Sequence, residues 1–435
     1  MDMSTMQHDH SSMNMQTMPR DMLMMRQPTN LIESQLNHLS SGTSSEPASV
    51  PMYMMMGHHG AWMWMLHGEA FVSDIQQKVA STPQGERGGD KLFSTNWIMP
   101  MAMRRLGPGQ LTVRAMFSLE PATITSRQYP LLFQQGETAF GKPIVDGQHP
   151  HDFFMEVAAL YDIRISERTL LSFYVAPIGD PAIGPAAYPH RMSASENPLA
   201  ALGHHQEDST HIAFNVLTAG FTWRWLRAEV SGFHGGEPGE GRWQFQPSKN
   251  GLAIDSYSTR ITFAPNANWS TQYSIAHITD PEPGAHEDQQ RQTASIMYNR
   301  PIGPRDANGL SSGNWSNTLI WGRTSSHGTM NSYLAESLLK FSRKNYVWTR
   351  IENAGRSSQL LLTPGTPVPP HFDEEPIGHV AAFSFGFDRD FRISKHVTAA
   401  PGAQFSTYAT PPLLKPTYGN HPWGVAAFVR FRIAQ

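Results

Sequence analysis

Methionine and histidine are concentrated at the start of the chain, where 15 of the 23 methionines lie within the first 65 residues. A thioether is a soft, neutral ligand that favours Cu(I), whereas imidazole binds Cu(I), Cu(II) and zinc. The short spacings, as between Met13 and Met15, bring two or three such ligands together on a polar segment. The sequence therefore predicts a copper-binding tail with the candidate ligands Met3, Met6, His8, His10, Met13, Met15, Met22, Met24, Met25, His58 and His59.

The same two side-chain types recur in the next three apolar runs, now at every second position. Alternate residues of a β-strand point to the same face, so three neighbouring strands would present these ligands on one wall. The candidates are Met63, Met65 and His67 in the first run, Met99, Met101 and Met103 in the second, and Met116 in the third. The alternative is that these methionine rows face lipid or pack against a plug.

A third group of histidines lies in two long connections between predicted strands. The candidate ligands are His149 and His151 in the first connection, and His204, His205 and His211 in the second. Imidazole with nearby carboxylates suits zinc or Cu(II). The two connections flank one hairpin and can therefore meet. The alternative is hydrogen bonding between the loops that narrows a pore mouth.

The elements that would position these residues are short strands with period-2 alternation. Sixteen runs show this pattern: 61–78, 91–106, 110–120, 152–165, 168–177, 210–222, 226–235, 252–264, 268–279, 290–300, 313–324, 331–342, 345–354, 378–389, 396–408 and 423–433. Tight turns and long connections alternate between them, and 301–312 is the one long connection on the tight-turn side. This rhythm is typical of transmembrane barrels. The fold prediction is all-β, a transmembrane antiparallel up-and-down β-barrel of about 16 strands.

The predicted strands have one apolar and one polar face. In 425–433 the odd positions are apolar, whereas Arg430 and Arg432 lie on the other face. Aromatic residues near strand ends fit interfacial girdles, and the candidates are Trp62, Trp223, Trp225, Trp243, Tyr346 and Trp348. The alternative is a large soluble sandwich or propeller, but no propeller-length repeat is present.

Residues 1–60 differ in texture from this pattern and are predicted to form a mostly irregular extension, periplasmic or plugging the lumen. A short helix is expected within 29–39, and residues 61–435 are assigned to the barrel.

Composition narrows the possible functions. The net charge of −3 over 435 residues gives no footprint for nucleic acid, and no run of apolar residues is long enough for a transmembrane helix. Cysteine is absent, which excludes disulfides and thiolate metal sites. No GxSxG, HExxH or phosphate-binding glycine loop is found, so we expect no enzymatic activity.

With its sixteen amphipathic runs and the terminal strand GVAAFVRFRI, the region 61–435 resembles Gram-negative outer-membrane β-barrels. The Met/His-rich tail is similar in design to copper-resistance outer-membrane proteins. This resemblance implies an outer-membrane location, contact with membrane lipid, and a trimer if the chain behaves as 16-stranded porins do.

The functional hypothesis is copper homeostasis, in which tail and lumen bind copper, with Cu(I) favoured, for export or sequestration. Zinc is the second candidate at the loop histidines, and periplasmic copper-handling proteins are candidate partners. One alternative is a general or small-solute porin whose N-terminal segment plugs the lumen. Another is a structural or interaction barrel.

Overall fold

Sixteen antiparallel strands form one closed barrel. The structure is a computed structural model that describes residues 27–37, 40–79, 87–208, 212–245, 247, 251–282, 287–305, 311–326, 328–370 and 372–433. The barrel strands are β1 (Trp62–Lys78), β2 (Gly88–Leu106), β3 (Gly109–Phe117), β4 (Phe154–Ser166), β5 (Thr169–Gly179), β6 (Ala213–Trp223), β7 (Leu226–His234), β8 (Ser256–Phe263), β9 (Trp269–Ile278), β10 (Gln289–Arg305), β11 (Ser311–Ser325), β12 (Thr329–Phe341), β13 (Asn345–Ser357), β14 (Pro376–Arg389), β15 (Val397–Ala409) and β16 (Trp423–Ile433).

Each strand pairs with its neighbours in sequence, and β1 closes the barrel by pairing with β16 from Glu69↔Arg432 to Lys78↔Trp423. The predicted fold class is confirmed, and all sixteen predicted runs coincide with strands. One detail was wrong: β10 continues to Arg305, so 301–312 is not a long connection. The ladder with β11 continues past Pro301, with an irregularity between Ile302 and Arg305.

Smaller elements decorate the barrel. The strand Met55–His59 pairs with the start of β1, and Phe391–Arg392 pairs with β15. Two short ladders lie in the connection after β3, Tyr129–Pro130 with Gly147–Gln148 and Glu137–Ala139 with Lys142–Ile144. The helices are α1 (Leu31–Asn37), α2 (Glu120–Thr123), α3 (His204–Glu207) and α4 (Lys415–Tyr418), with single 3₁₀ turns at Thr125–Arg127, Met192–Ala194, Ser358–Leu361 and Pro412–Leu414. No helix in the described part of the chain is long and apolar enough to cross a membrane.

The outer surface carries an apolar belt because strand alternation sends one face of every strand outward. Exposed strand residues include Val113, Phe173, Val230, Ile261, Leu319 and Phe385. Trp223 and Trp225 lie exposed at a tight turn, as predicted for a girdle residue. The prediction was wrong for Tyr346 and Trp348, which are buried. They lie at even positions of β13, like Arg350, and the even positions of this strand face the lumen.

The inner surface is charged, and two segments of the chain fill the lumen. The first, which we call the plug segment, is residues 27–54. Its Ser40 and Gly42 carbonyls accept hydrogen bonds from Arg114 of β3, while Thr43 accepts one from Arg260 of β8. Farther along it, Tyr53 accepts a hydrogen bond from Lys340 of β12.

These contacts lie on strands from several sides of the barrel, so the plug segment crosses the lumen.

The second segment, the inner loop, is residues 180–208 between β5 and β6. Its Arg191 forms ion pairs with Glu336 of β12 and with Asp208 in the loop itself. Its Glu196 contacts both Arg430 and Arg432 of β16. Buried charge pairs therefore fix this loop to the far wall.

Candidate functional site

A cluster of methionines lies on the inner wall where β1, β2 and β3 meet the plug segment. We call it the methionine wall. Eight members are buried and two are partly buried, and together they are Met52, Met54, Met56, Met63, Met65, Met99, Met101, Met103, Met116 and Met155. The side chains between them along the strands, such as Trp64 and Ile98, are exposed on the lipid face.

Strand register sets the order of the wall. Met63 lies opposite Met103, Met65 opposite Met101, and His67 opposite Met99. Directly opposite residues of an antiparallel pair have Cβ atoms about 5 Å apart, so each pair can offer two ligands to one ion. All seven ligands predicted on these three strands therefore share the lumen face, which is the arrangement that the spacing predicted.

The strand Met55–His59 extends this wall by one row at the tight-turn end of the barrel. Met56 lies opposite Met65, and His58 lies opposite Met63. His59 pairs with Trp62 and so lies on the other face of the hairpin. Of the two predicted histidine ligands here, His58 is in register with the methionine wall and His59 is not.

Two histidines and a tryptophan lie at the inner end of the methionine wall. His190 of the inner loop places Nε2 3.2 Å from Met116 Sδ. Its ring centroid is 5.9 Å from that of His67 and 4.5 Å from that of Trp97. The two histidines and the tryptophan line a cavity of about 70 Å³, to which Met54, Met192, Glu46, Glu69 and Arg432 also contribute.

The Nδ1 atoms of His67 and His190 are both buried without a hydrogen-bond partner among the described residues. A buried polar atom without a partner is costly and calls for a missing one, such as a water or an ion. Burial lowers the pKa of His190 well below its ordinary value, and the proximity of His67 and Arg114 acts in the same direction. Neutral imidazoles among thioethers form a donor set suited to Cu(I).

The loop-side histidines form a separate group at the opposite end of the barrel. His149 and His205, from two different connections, converge on Glu137, and one potential ligand atom of each lies within 4.8 Å of the others. Burial lowers the pKa of His205 to about 3, against the attraction of Glu137. Burial alone would raise the pKa of Glu137, but the attraction of His149 and Arg242 lowers it overall.

The remaining loop candidates do not join this group. His151 Nδ1 lies 2.9 Å from Glu120 Oε1, and His204 Nε2 lies 3.0 Å from Gln148 Oε1. His211 and the tail candidates Met3, Met6, His8, His10, Met13, Met15, Met22, Met24 and Met25 lie outside the described residues.

Sequence reasoning missed Glu137 and the grouping of His190 with the methionine wall. Nothing in the local sequence marks Glu137, because it reaches the histidines through a small hairpin inside a long connection. His190 lies in the same long connection as His204 and His205, but the inner loop carries it into the lumen, where it contacts Met116. The methionines Met52, Met54 and Met56 were visible as a run, but their contact with β1 depends on the return of the chain as a hairpin.

Comparison with known proteins gives a likeness of architecture. No protein-family model matches the chain, and no curated protein matches it in sequence. Among solved structures, it is similar to a loop L8 deletion mutant of OmpT, an outer membrane protein of Vibrio cholerae. The identity is 7%, the alignment covers 85% of this chain and 100% of that one, and the TM-score is 0.46.

A porin refined at 1.8 Å gives 10% identity over 85% of this chain and 100% of the porin, with a TM-score of 0.42. Pseudomonas putida OprB gives 8% identity over 86% and 94%, with a TM-score of 0.42. Identities and TM-scores at this level carry no functional argument. The chain's own closed sheet, apolar belt and charged lumen define its class, a sixteen-stranded transmembrane β-barrel.

Proposed function

We propose that this protein is an outer-membrane barrel for copper homeostasis, which binds Cu(I) along the methionine wall for export or sequestration. The observation that carries the proposal is a wall of ten thioethers that meets two imidazoles whose Nδ1 atoms have no partner among the described residues, beside a cavity that Met52 and Met54 of the wall help to line. Packing alone explains an apolar wall, but it does not explain buried imidazole atoms without partners.

The residues fit a soft monovalent cargo. Met54, Met116, His67 and His190 would hold the ion at the inner end of the wall, because neutral sulfur and nitrogen ligands suit Cu(I) and add no charge. The paired rows Met65–Met101 and Met63–Met103 would hold it nearer the tight-turn end. Several equivalent ligands in sequence favour transfer from one set to the next over tight binding at a single set.

The tail would supply the ion. Gln27, the first residue that the structure describes, donates hydrogen bonds to the Ala48 and Val50 carbonyls. The Ser49 N–H donates to the carbonyl of Ala267, which lies in the tight turn between β8 and β9. The chain thus enters the described region at the tight-turn end, where the methionine wall begins. In an outer membrane, barrels present their short turns to the periplasm. Copper-handling proteins of the periplasm would then be the partners that load the tail.

A small-solute porin is the second candidate, favoured by the plug segment that crosses the lumen. In that function the plug segment would leave the lumen to open the pore, and the methionines would form the apolar surface against which it packs. The porin function predicts that deletion of residues 1–54 raises ion conductance across planar bilayers, which distinguishes it from the copper function. Copper binding would be incidental to such a pore.

The test is Cu(I) titration of the full chain, purified in detergent, against a competing chromophoric Cu(I) chelator. The variants are a deletion of residues 1–26 and the triple substitution Met99→Leu, Met101→Leu and Met103→Leu. Leucine conserves volume, so the wall stays packed at a cost below about 1.5 kcal/mol per site. The matched control is Met297→Leu, a buried methionine on β10 outside the wall.

We expect the deletion to remove the tail's share of the copper. The triple substitution should remove most of the remainder, while the control keeps the stoichiometry of the unmodified chain. Equal copper binding by the triple variant and the control would show that the wall is not a copper site. No copper in the unmodified chain would reject the copper function altogether and leave the porin as the better candidate.

A further inference from the structure

A compact group of three potential metal ligands lies at the long-connection end of the barrel and consists of Glu137, His149 and His205. Its ligand atoms are nitrogen and oxygen, whereas those of the methionine wall are mainly sulfur. We propose that these three side chains bind a divalent borderline cation, Zn²⁺ or Cu²⁺, which ties the connection 118–153 to the inner loop. This site goes beyond the copper function proposed above, because it uses nitrogen and oxygen ligands at a different place in the barrel.

The distances are close to those that a tetrahedral ion requires. With metal–ligand bonds of 2.0–2.1 Å, ligand atoms lie about 3.3 Å apart. Glu137 Oε1 is already 3.1 Å from His149 Nε2 and 4.0 Å from His205 Nε2. All three ligand atoms lie within 4.8 Å of one another, so a shift of the His205 ring towards the other two ligands would complete three ligand positions.

The tautomer of His149 is set for metal binding. Its Nδ1 lies 2.8 Å from the carbonyl oxygen of Pro150, which only accepts hydrogen bonds, so Nδ1 carries the proton. When the ring is neutral, its Nε2 lone pair faces a carboxylate oxygen 3.1 Å away, and these two acceptors repel unless a proton or a metal ion lies between them. A backbone carbonyl behind the ligating imidazole is the usual arrangement around bound metals.

The carboxylate is held in place by its other oxygen. Glu137 Oε2 lies 3.1 Å from Arg242 Nη2, and Arg242 Nη1 lies 3.2 Å from Asp152 Oδ2. This leaves Oε1 free to face the two histidines. With neutral imidazoles, Glu137, Asp152 and Arg242 sum to one negative charge, so a cation enters a site of opposite sign.

The three ligands come from short ordered elements. Glu137 begins the strand Glu137–Ala139, His149 follows the strand Gly147–Gln148, and His205 lies on α3. The His205 side chain is 25% exposed, so an ion would have access from solvent and room for a fourth ligand such as water. An ion held here would fix the mouth of the inner loop, which also carries His190 of the methionine wall.

The competing explanation is a proton in place of the metal, which would make a simple ion pair between His149 and Glu137. Zinc binding to the full chain in detergent, measured by elemental analysis after equilibrium dialysis and by calorimetry, separates the two. The variants are Glu137→Gln and His149→Gln, and the control is His421→Asn, an exposed histidine on another long connection. Migration of the unheated barrel on SDS gels reports whether each variant is folded.

We expect the unmodified chain and the control to bind one zinc ion that both variants lose, with affinity falling at least about 100-fold, since even an outer-shell substitution costs 10–100-fold. With Cu²⁺, the electron paramagnetic resonance spectrum should show two nitrogen ligands in the unmodified chain and one in His149→Gln. Unchanged zinc binding in a folded Glu137→Gln variant, or no zinc in the unmodified chain, would overturn the proposal. The triple methionine variant should keep this zinc ion, so failure of the copper function leaves this test intact.

Discussion

The substitution Glu196→Gln should release the inner loop from the barrel wall and lower stability by about 3 kcal/mol. Glu196 Oε2 lies 2.5 Å from Arg430 Nε, and Oε1 lies 2.8 Å from Arg432 Nη1, with all three side chains buried. Burial alone would raise the pKa of Glu196, but the attraction of Arg430 and Arg432 outweighs it and lowers the pKa from 4.5 to about 2. At 1.36 kcal/mol for each pKa unit, that difference is worth about 3 kcal/mol.

Removal of one partner of a buried ion pair typically costs 3–5 kcal/mol. The lower end applies here because both arginines keep other partners. Arg430 still contacts Asp390 at 2.9 Å, and Arg432 still contacts Glu69 at 2.5 Å. The two ways of obtaining the magnitude therefore agree.

The assay is urea unfolding of the barrel in lipid vesicles, followed by tryptophan fluorescence at pH 7 and pH 3. Because the folded pKa lies below the unfolded one, the contribution of Glu196 is complete above about pH 4.5 and is lost as the pH falls through 2. The difference between the unmodified chain and the variant should shrink by about half at pH 3, because the folded pKa lies below the unfolded one. The matched control is Glu240→Gln, whose ion pair with Arg127 is partly exposed and should matter by less than about 1 kcal/mol.

A loss below 1 kcal/mol at pH 7, or an equal difference at both pH values, would refute this reasoning.

Three further substitutions probe the belt and the plug segment. Ile261→Arg places a charge on the lipid face of β8 and should cost about 2–4 kcal/mol near the bilayer midplane, whereas Leu252→Arg, equally exposed but in a connection, should be near neutral in the same urea assay. Arg114→Met leaves the buried carboxylate of Glu156 without its arginine partner and removes the hydrogen bonds to the carbonyls of the plug segment. We therefore expect the free energy of unfolding to fall by about 3–5 kcal/mol and the bilayer conductance to rise. Unchanged values of both would contradict the assigned contacts. Gly42→Ala requires a left-handed backbone for alanine and brings its Cβ to 2.5 Å from Asp180 Cβ. Because this strain weakens the binding of the plug segment, we expect protease to cleave that segment faster. Equal cleavage rates in the variant and the unmodified chain would contradict this.

The strands could be predicted from sequence because their signals are local. Period-2 alternation fixes which side chains share a face, and the alternation of tight and long connections fixes the count of sixteen. The faces of β1, β2 and β3 followed from parity alone, which placed Met99, Met101 and Met103 on the lumen side. Parity also explains why Tyr346 and Trp348 are not girdle residues. They were assigned to the girdle because they lie near a strand end, but their positions in the alternation place them on the lumen face.

The contents of the lumen could not be predicted in the same way. Glu196 meets Arg430, and His190 meets Met116, across long stretches of chain that have no repeating pattern to set a register. Each of these contacts depends on the path of a long connection inside a closed wall. Composition indicated the chemistry of the Met/His residues, but only the fold selects which of them become neighbours.

The size of the cavity bears on the choice between the two functions. About 70 Å³ beside His67 and His190 has room for a dehydrated ion or a few waters. A porin function in which the plug segment leaves would break the buried hydrogen bonds that Arg114 and Arg260 donate to that segment. In the proposed copper function, a Cu(I) ion would need no such opening, because the paired thioethers of the methionine wall would bind it with the plug segment in place. A copper function therefore predicts metal loading in a barrel that stays closed to ions in bilayers, and a porin function predicts that the two properties change together.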